Sequence, residues 1–115
     1  MEKFQNFDIE LIVKEYEKFS EIKPVVGMGV TYSPYTDEYP YRIIEVVNDK
    51  KIVVEELKAI ANEEMGLYTG NMDLYIKENA KQVTLKKFKK GWKRDSKELG
   101  YWTIGIANRY QDASC

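Results

Sequence analysis

The 115-residue sequence predicts an α+β fold, in which an N-terminal helix precedes a compact, mainly antiparallel β-sheet or small barrel of five or six strands. Near the N-terminus, apolar residues recur at helical spacing. From residue 25 onward, runs rich in β-branched and aromatic residues alternate with Gly, Pro, Asn and Asp. We therefore expect a single domain over residues 1–115, with the helix in residues 1–24 and a β-rich ligand-binding core in residues 25–115.

The predicted helix covers residues 8–19, where Asp8 can cap its N-terminus and Pro24 prevents it from continuing. Its main apolar stripe consists of Ile9, Ile12, Val13, Tyr16 and Phe19. Phe4 and Leu11 lie outside this stripe, which broadens the apolar surface. That breadth favours contact with a second subunit, so we expect a homo-oligomer. The alternative is ordinary docking of the helix on one sheet face.

The predicted strands cover residues 25–32, 41–47, 52–57, 72–76, 82–89 and 101–107, and residues 48–51 form a hairpin turn. In the second strand, Ile43 and Val47 are expected on one face, and Ile44 and Val46 on the other. After residue 57 the pattern predicts an irregular or partly helical segment. In the last strand, Thr103, Gly105 and Ala107 make a nearly bare face, where small side chains permit close approach by another element or by a ligand.

Several classes of function are excluded by what the sequence lacks. It contains no histidine, which removes His-centred acid–base and nucleophilic catalysis and His metal sites. The single cysteine, Cys115, allows no internal disulfide, and Gly27-x-Gly29 lacks the third glycine of a dinucleotide fingerprint. We therefore expect no enzyme, no metal and no cofactor. A polar N-terminus without an export signal, and no membrane-length apolar run, favour a cytoplasmic protein without a membrane partner.

Charge is unevenly distributed along the chain. The net charge is −1, yet residues 77–99 carry nine Lys/Arg against three acids, a local +6. Such a segment indicates an anionic partner, and its alternative interpretation is a solvated strand pair that keeps the protein soluble.

Three segments combine flat aromatic faces, cations and polar groups. They are the Tyr-rich loop at residues 33–42, the basic hairpin at 86–94 and the tail at 108–110. A nucleotide needs these groups for its base, its phosphates, and its ribose hydroxyls or base edges. The predicted ligand-binding residues are Tyr35, Thr36, Asp37, Lys86, Phe88, Trp92, Arg94, Asn108 and Arg109. Alternatively, the aromatic residues cover the core and the cations are solvated.

Short motifs in several of these segments resemble a known family. They are Tyr35-Thr-Asp-x-Tyr-Pro-Tyr-x-Ile-Ile-Glu-Val, Val83-Thr-Leu-Lys-Lys, Gly91-Trp-Lys and Ile104-Gly-Ile followed by Arg109-Tyr-Gln-Asp. Over most of residues 25–115 the chain resembles the first type of Thoeris anti-defence protein from phages and prophages. The resemblance implies a sponge, which sequesters a cyclic ADP-ribose isomer made by a bacterial TIR-domain enzyme and does not cleave it. It also implies a homo-oligomer in the host cytoplasm, with ligand pockets near subunit interfaces.

Two alternatives come from other classes of function. A small nucleic-acid-binding barrel is supported by the basic residues of 86–94. The net charge of −1 and the confinement of the basic run to one hairpin argue against a nucleic-acid partner. The other alternative is a protein-binding inhibitor that uses the Tyr-rich loop, since Tyr and Arg are favoured interface anchors.

Overall fold

The computed structural model describes residues 2–6, 23–34, 37–61, 72–89, 91–107 and 109. These residues form an all-β fold without any helix, so the α+β prediction is wrong for the described chain. The predicted helix over residues 8–19 lies outside the described residues. The strands are β1 Lys3–Phe4, β2 Gly29–Ser33, β3 Tyr39–Asn48, β4 Lys51–Ala61, β5 Met72–Ile76, β6 Gln82–Phe88, β7 Gly91–Lys93 and β8 Tyr101–Gly105.

Six antiparallel strands close into a barrel in the order β4-β3-β2-β8-β7-β6, and β6 returns to β4. The long strand β4 makes this closure possible. Its residues 51–56 lie between β3 and β6, whereas residues 57–61 leave the barrel and pair with β5. Strand β1 then pairs with the other edge of β5. The result is a closed barrel with a three-stranded extension.

The main core fills the barrel. It forms because side chains along each strand point alternately into and out of the barrel, as in β6, where Val83 and Leu85 are buried between exposed neighbours. The buried residues of this core are Met28, Val30, Ile43, Ile52, Val54, Val83, Leu85, Trp92, Trp102 and Ile104. A second, smaller cluster consists of Phe4, Leu57, Leu74 and Ala107. Phe4, which the sequence analysis assigned to a subunit contact, is therefore buried within the described chain.

The bare face predicted for residues 101–107 is approached closely at Ala107, just after β8, by another part of the same chain. The Asn6 side chain accepts a hydrogen bond from the Ala107 N–H at 2.7 Å and donates one to the Ala107 carbonyl at 3.1 Å. A Cβ on Gly29 would lie 2.3 Å from Asn6 Oδ1 and 2.5 Å from the Ala107 nitrogen. Among the described residues, the close approach predicted for this face is thus made by a protein segment.

Several element boundaries differ from the prediction for identifiable reasons. Strand β2 begins at Gly29 and not at residue 25, because Gly27 adopts a φ of 93° within a turn. A register shift between Ile43 and Glu45 reverses the alternation in β3. Val46 consequently packs against the core, whereas Val47 is 47% exposed, contrary to the predicted shared face with Ile43.

Strand β4 also continues to Ala61, where the sequence predicted an irregular segment after Leu57, because β5 supplies a pairing partner for its second half. The hairpin turn after Asn48 and the strand Met72–Ile76 are confirmed. The described residues contain no helix that is long and apolar enough to cross a membrane.

Candidate ligand-binding site

Three inward-facing aromatic rings meet at one end of the barrel. Tyr32 on β2 stacks on Trp102 on β8, with ring centroids 4.4 Å apart and an interplanar angle of 22°. The two residues are direct cross-strand partners. Tyr41 on β3 meets the same indole edge-on, at 4.9 Å and 63°. We call Tyr32, Tyr41 and Trp102 the aromatic cluster. Ring pairs of this kind contribute about 0.5–1.5 kcal/mol each beyond their buried area.

Arg94, which directly follows β7, covers this cluster with its guanidinium group. Its Cζ lies 5.0 Å from the ring centroid of Tyr32 and 5.8 Å from that of Trp102, so both contacts are within cation–π range. Its Nη2 donates a hydrogen bond to the Tyr32 hydroxyl at 3.1 Å. The plane of the guanidinium is therefore fixed by both stacking and hydrogen bonding.

Glu98 holds Arg94 in this position. Its carboxylate accepts hydrogen bonds from Arg94 Nε, from the Arg94 backbone N–H at 3.1 Å and from Trp102 Nε1 at 2.5 Å. The Glu98 side chain is only 6% exposed, so this carboxylate needs such partners. Lys93 adds a hydrogen bond from its Nζ to the Glu98 carbonyl at 2.7 Å. The loop after β7 is thus tied to the barrel wall.

Two side chains of the site, Arg94 and Tyr41, have pKa values that depart from their ordinary ones. Burial lowers the pKa of Arg94, but the hydrogen bond to Glu98 and the charge of that carboxylate outweigh burial and raise the pKa overall. Burial is the main cause that raises the pKa of Tyr41, and the negative charge of Glu56 raises it further. Around neutral pH, Arg94 is therefore cationic and the Tyr41 phenol is protonated.

An open cavity of about 470 Å³ lies beside Arg94. Its lining residues are Tyr32, Pro34, Arg94, Asp95, Glu98, Leu99 and Gly100. This volume falls in the range of about 300–1,000 Å³ that is typical of small-molecule sites. Gly100 is packed against the cavity wall, because a Cβ there would lie 2.8 Å from Tyr32 Cε1 and 3.1 Å from Pro34 Cα. Leu99, at the rim, is 92% exposed.

A smaller cavity of about 160 Å³ lies near Arg109. Its lining residues are Tyr39, Pro40, Tyr41, Glu56, Leu57, Ala59 and Arg109. The Arg109 Cζ lies 4.8 Å from the Tyr39 ring centroid, and Nη1 donates to the Glu38 carbonyl at 3.3 Å. The Tyr39 ring is 6.5 Å from that of Tyr32. The two cavities therefore flank one continuous group of rings.

The structure brings only some of the predicted ligand-binding residues to these cavities. Arg94 lines the larger one and Arg109 the smaller one. Asp37 is half-buried and lines neither cavity. It lies along the chain between Pro34, which lines the larger cavity, and Tyr39, which lines the smaller one. Three further predicted residues, Tyr35, Thr36 and Asn108, lie outside the described residues.

The remaining predicted residues lie elsewhere. Trp92 is 8% exposed and belongs to the barrel core, so its ring face is covered by protein. Lys86 and Phe88 are on β6 and line neither cavity.

Sequence reasoning missed the residues that organise the larger cavity. Tyr32 and Trp102 fall within predicted strands with no binding role, and Glu98 is only one of the three acids of the basic segment at residues 77–99. Two signals point to them: an aromatic residue at the end of each strand, and a carboxylate four residues after Arg94.

Within the described ranges, no three His, Cys, Asp or Glu side chains are placed to hold a metal ion together. No protein-family model, curated protein or solved structure matches this chain.

Proposed function

We propose that this protein is a sponge that binds a cyclic ADP-ribose-type immune signal of a bacterial host and sequesters it without cleavage. The observation that carries the proposal is the Tyr32–Arg94 pair on the wall of the cavity of about 470 Å³. The motif resemblance to phage Thoeris anti-defence proteins supports the choice of ligand class.

The groups around the cavity match the parts of such a ligand. Aromatic and guanidinium planes suit the base, and stacking of one base contributes about 1–3 kcal/mol. The carboxylate of Asp95 suits ribose hydroxyls. Arg94 and Arg109, one at each cavity, suit the diphosphate, at about 1.5–3 kcal/mol for each hydrogen bond to a charged group. Several such contacts are needed for submicromolar binding, which corresponds to roughly −10 kcal/mol.

Sequestration without cleavage agrees with the protonation states at the site. A general base must be able to accept a proton near the working pH. Arg94 and Tyr41 both have raised pKa values, so neither side chain can take this role around neutral pH. The sequence also contains no histidine. Arg94 and Tyr41 are therefore suited to contact a ligand and not to remove a proton from it.

We also propose that the functional form is a homo-oligomer in the host cytoplasm, as the family resemblance implies. Leu99, which is 92% exposed beside the cavity, is available for a partner subunit at this position. Light scattering tests the oligomeric state, because a mass of 13.5 kDa at micromolar concentration would correspond to a monomer and would contradict this part of the proposal.

Mass spectrometry tests the central proposal. The protein is incubated with extract from cells in which a TIR-domain enzyme is active, then washed and heated, and the released small molecule is identified. We expect an intact cyclic nucleotide, in an amount that does not exceed the protein. Lys81→Ala, at an exposed lysine that lines neither of these cavities, should release as much as wild type, and Arg94→Ala much less. Release of hydrolysed ADP-ribose in excess of protein would indicate an enzyme. No depletion of the signal would favour the protein-binding or the nucleic-acid-binding alternative.

A further inference from the structure

Three of the lysines that line neither of these cavities form an ordered row on the outside of the barrel. In the strand register, Lys51 on β4 lies opposite Lys86 on β6, and Lys86 lies opposite Lys93 on β7. Their inward-facing sequence neighbours, Ile52, Leu85 and Trp92, are buried in the core. Side chains alternate along a strand, so all three lysines face outward. We call Lys51, Lys86 and Lys93 the lysine row.

An exposed aromatic residue continues this row. Trp92 on β7 pairs with Trp102 on β8. One residue further along this antiparallel register, Lys93 is opposite Tyr101. The Tyr101 side chain is 70% exposed. Phe88, half-buried two residues after Lys86, lies on the same outer face as Lys86. The outer surface of β4, β6, β7 and β8 therefore carries three ammonium groups beside an accessible ring.

The charge of the row is not balanced by ion pairs within the described chain. No carboxylate of the described residues forms a salt bridge with any of the three lysines. Lys93 donates to the Glu98 carbonyl, which is neutral and leaves the positive charge in place. Like charges directly opposite each other on neighbouring strands are destabilising. An anion that bridges the row would remove this repulsion.

We propose that the lysine row and Tyr101 bind single-stranded nucleic acid. The row spans two strand spacings, or about 10 Å, which equals the length of roughly three stacked nucleotides at 3.4 Å each. Phosphates along a single strand match the cations, and an exposed tyrosine offers a stacking surface for a base. Two sequence features argue against nucleic acid: the net charge of −1 and a basic run confined to one hairpin. The fold removes the second, because Lys51 comes from a different hairpin. The net charge does not prevent local binding, because the lysine row is a separate positive surface.

Fluorescence anisotropy with a fluorescein-labelled 12-nucleotide oligothymidine tests the proposal. Three neutralised phosphates predict a slope of about −2 for the logarithm of the binding constant against that of the salt concentration. Affinity should then fall about 20-fold between 50 and 200 mM salt. Lys86→Gln should make the slope shallower by about 0.7, whereas Lys58→Gln, an exposed lysine on the β4 extension, should leave it unchanged.

Variants of Tyr101 distinguish binding of nucleic acid from binding of other anionic partners. Tyr101→Ala should reduce affinity at least about 5-fold at every salt concentration without changing the slope, and Tyr101→Phe should retain wild-type affinity. An acidic peptide such as polyglutamate should compete poorly. The proposal is overturned by absence of binding at 50 mM salt, by equal effects of Lys86→Gln and Lys58→Gln, or by a Tyr101→Ala variant that binds like wild type. Equal competition by polyglutamate would assign the row to an acidic protein surface instead.

Discussion

The rings of Tyr32 and Trp102 are stacked, with centroids 4.4 Å apart and an interplanar angle of 22°. Each of the two residues also makes a hydrogen bond to one member of the Arg94–Glu98 ion pair. The Tyr32 hydroxyl accepts a hydrogen bond from Arg94, and the Trp102 indole donates one to Glu98. Because both rings project from barrel strands, the geometry of the larger cavity depends on the register of β2 with β8. A change in this register would therefore disturb both the candidate site and the barrel core.

The hydrogen bond from Trp102 gives the first prediction. Trp102→Phe removes a donor to a carboxylate that is only 6% exposed, so the free energy of unfolding should fall by the cost of an unsatisfied group, about 1–3 kcal/mol, in addition to lost packing. Urea denaturation measures this. Trp92→Phe is the matched control, since Trp92 is 8% exposed against 6% for Trp102 but donates to no carboxylate of the described residues. Equal losses in the two variants would contradict the role of this hydrogen bond.

The barrel core gives the second prediction. Leu85 is 0% exposed, so Leu85→Ala should lower the free energy of unfolding by about 2–5 kcal/mol through lost burial and a residual cavity. Leu99→Ala, at a residue that is 92% exposed, makes the same chemical change and should have an effect within about 0.5 kcal/mol. Thermal or urea unfolding compares them. A large loss in Leu99→Ala would mean that this side chain is covered, as in a subunit interface.

The strands and the site differ in how far the sequence could predict them. Alternating runs located most strands, including β5 and the exposed–buried pattern of β6, because period-2 burial depends only on local order. The bulge that turns Val47 outward and the covering of Trp92 could not be read from the chain, since both depend on which strands become neighbours. Arg94 was predicted for its charge. Its partner Glu98 was not, because a loop brings the two together and no periodic pattern marks it.

The contact at Gly29 gives the third prediction. A Cβ at this position would lie 2.3 Å from Asn6 Oδ1 and 2.5 Å from the Ala107 nitrogen, so Gly29→Ala should destabilise the fold by about 1–3 kcal/mol or more. The Asn6→Ala/Gly29→Ala double variant relieves only the side-chain clash. Its loss should therefore exceed that of Asn6→Ala alone. If it does not, the Ala107 backbone can move away, and the close packing of this segment is not required.

Alkaline unfolding gives the fourth prediction. Burial, aided by Glu56, raises the pKa of Tyr41 above its ordinary value of about 10, so the folded state holds this proton more tightly than the unfolded chain. The contribution of the protonated Tyr41 to the free energy of unfolding is fully present below pH 10, and it is lost as the pH rises through the pKa of Tyr41 in the folded state. Tyr41→Phe should therefore lose less stability than wild type between pH 9.5 and 11, measured by urea midpoints. Parallel curves for both proteins would contradict this origin.

The Arg94 guanidinium gives the last prediction, which concerns ligand binding. Arg94→Lys keeps the positive charge but loses the planar group that stacks on Tyr32 and the fork that bonds to Glu98. If the planar group contacts the base, affinity for cyclic ADP-ribose should fall about 10-fold or more by calorimetry, which corresponds to roughly 1.4 kcal/mol. If Arg109 bonds to the diphosphate as proposed, Arg109→Ala should also weaken binding, because it would remove a charge-assisted hydrogen bond.

The two arginines can be distinguished by salt. Loss of a phosphate contact at Arg109 should make affinity less dependent on ionic strength, whereas Arg94→Lys should leave that dependence unchanged, because its charge is retained. Arg42→Lys is a suitable control, since Arg42 pairs with Glu55 at 2.5 Å and lines neither cavity. Wild-type affinity in Arg94→Lys would remove the stacked guanidinium from the ligand site. Wild-type affinity in Arg109→Ala would restrict the site to the larger cavity.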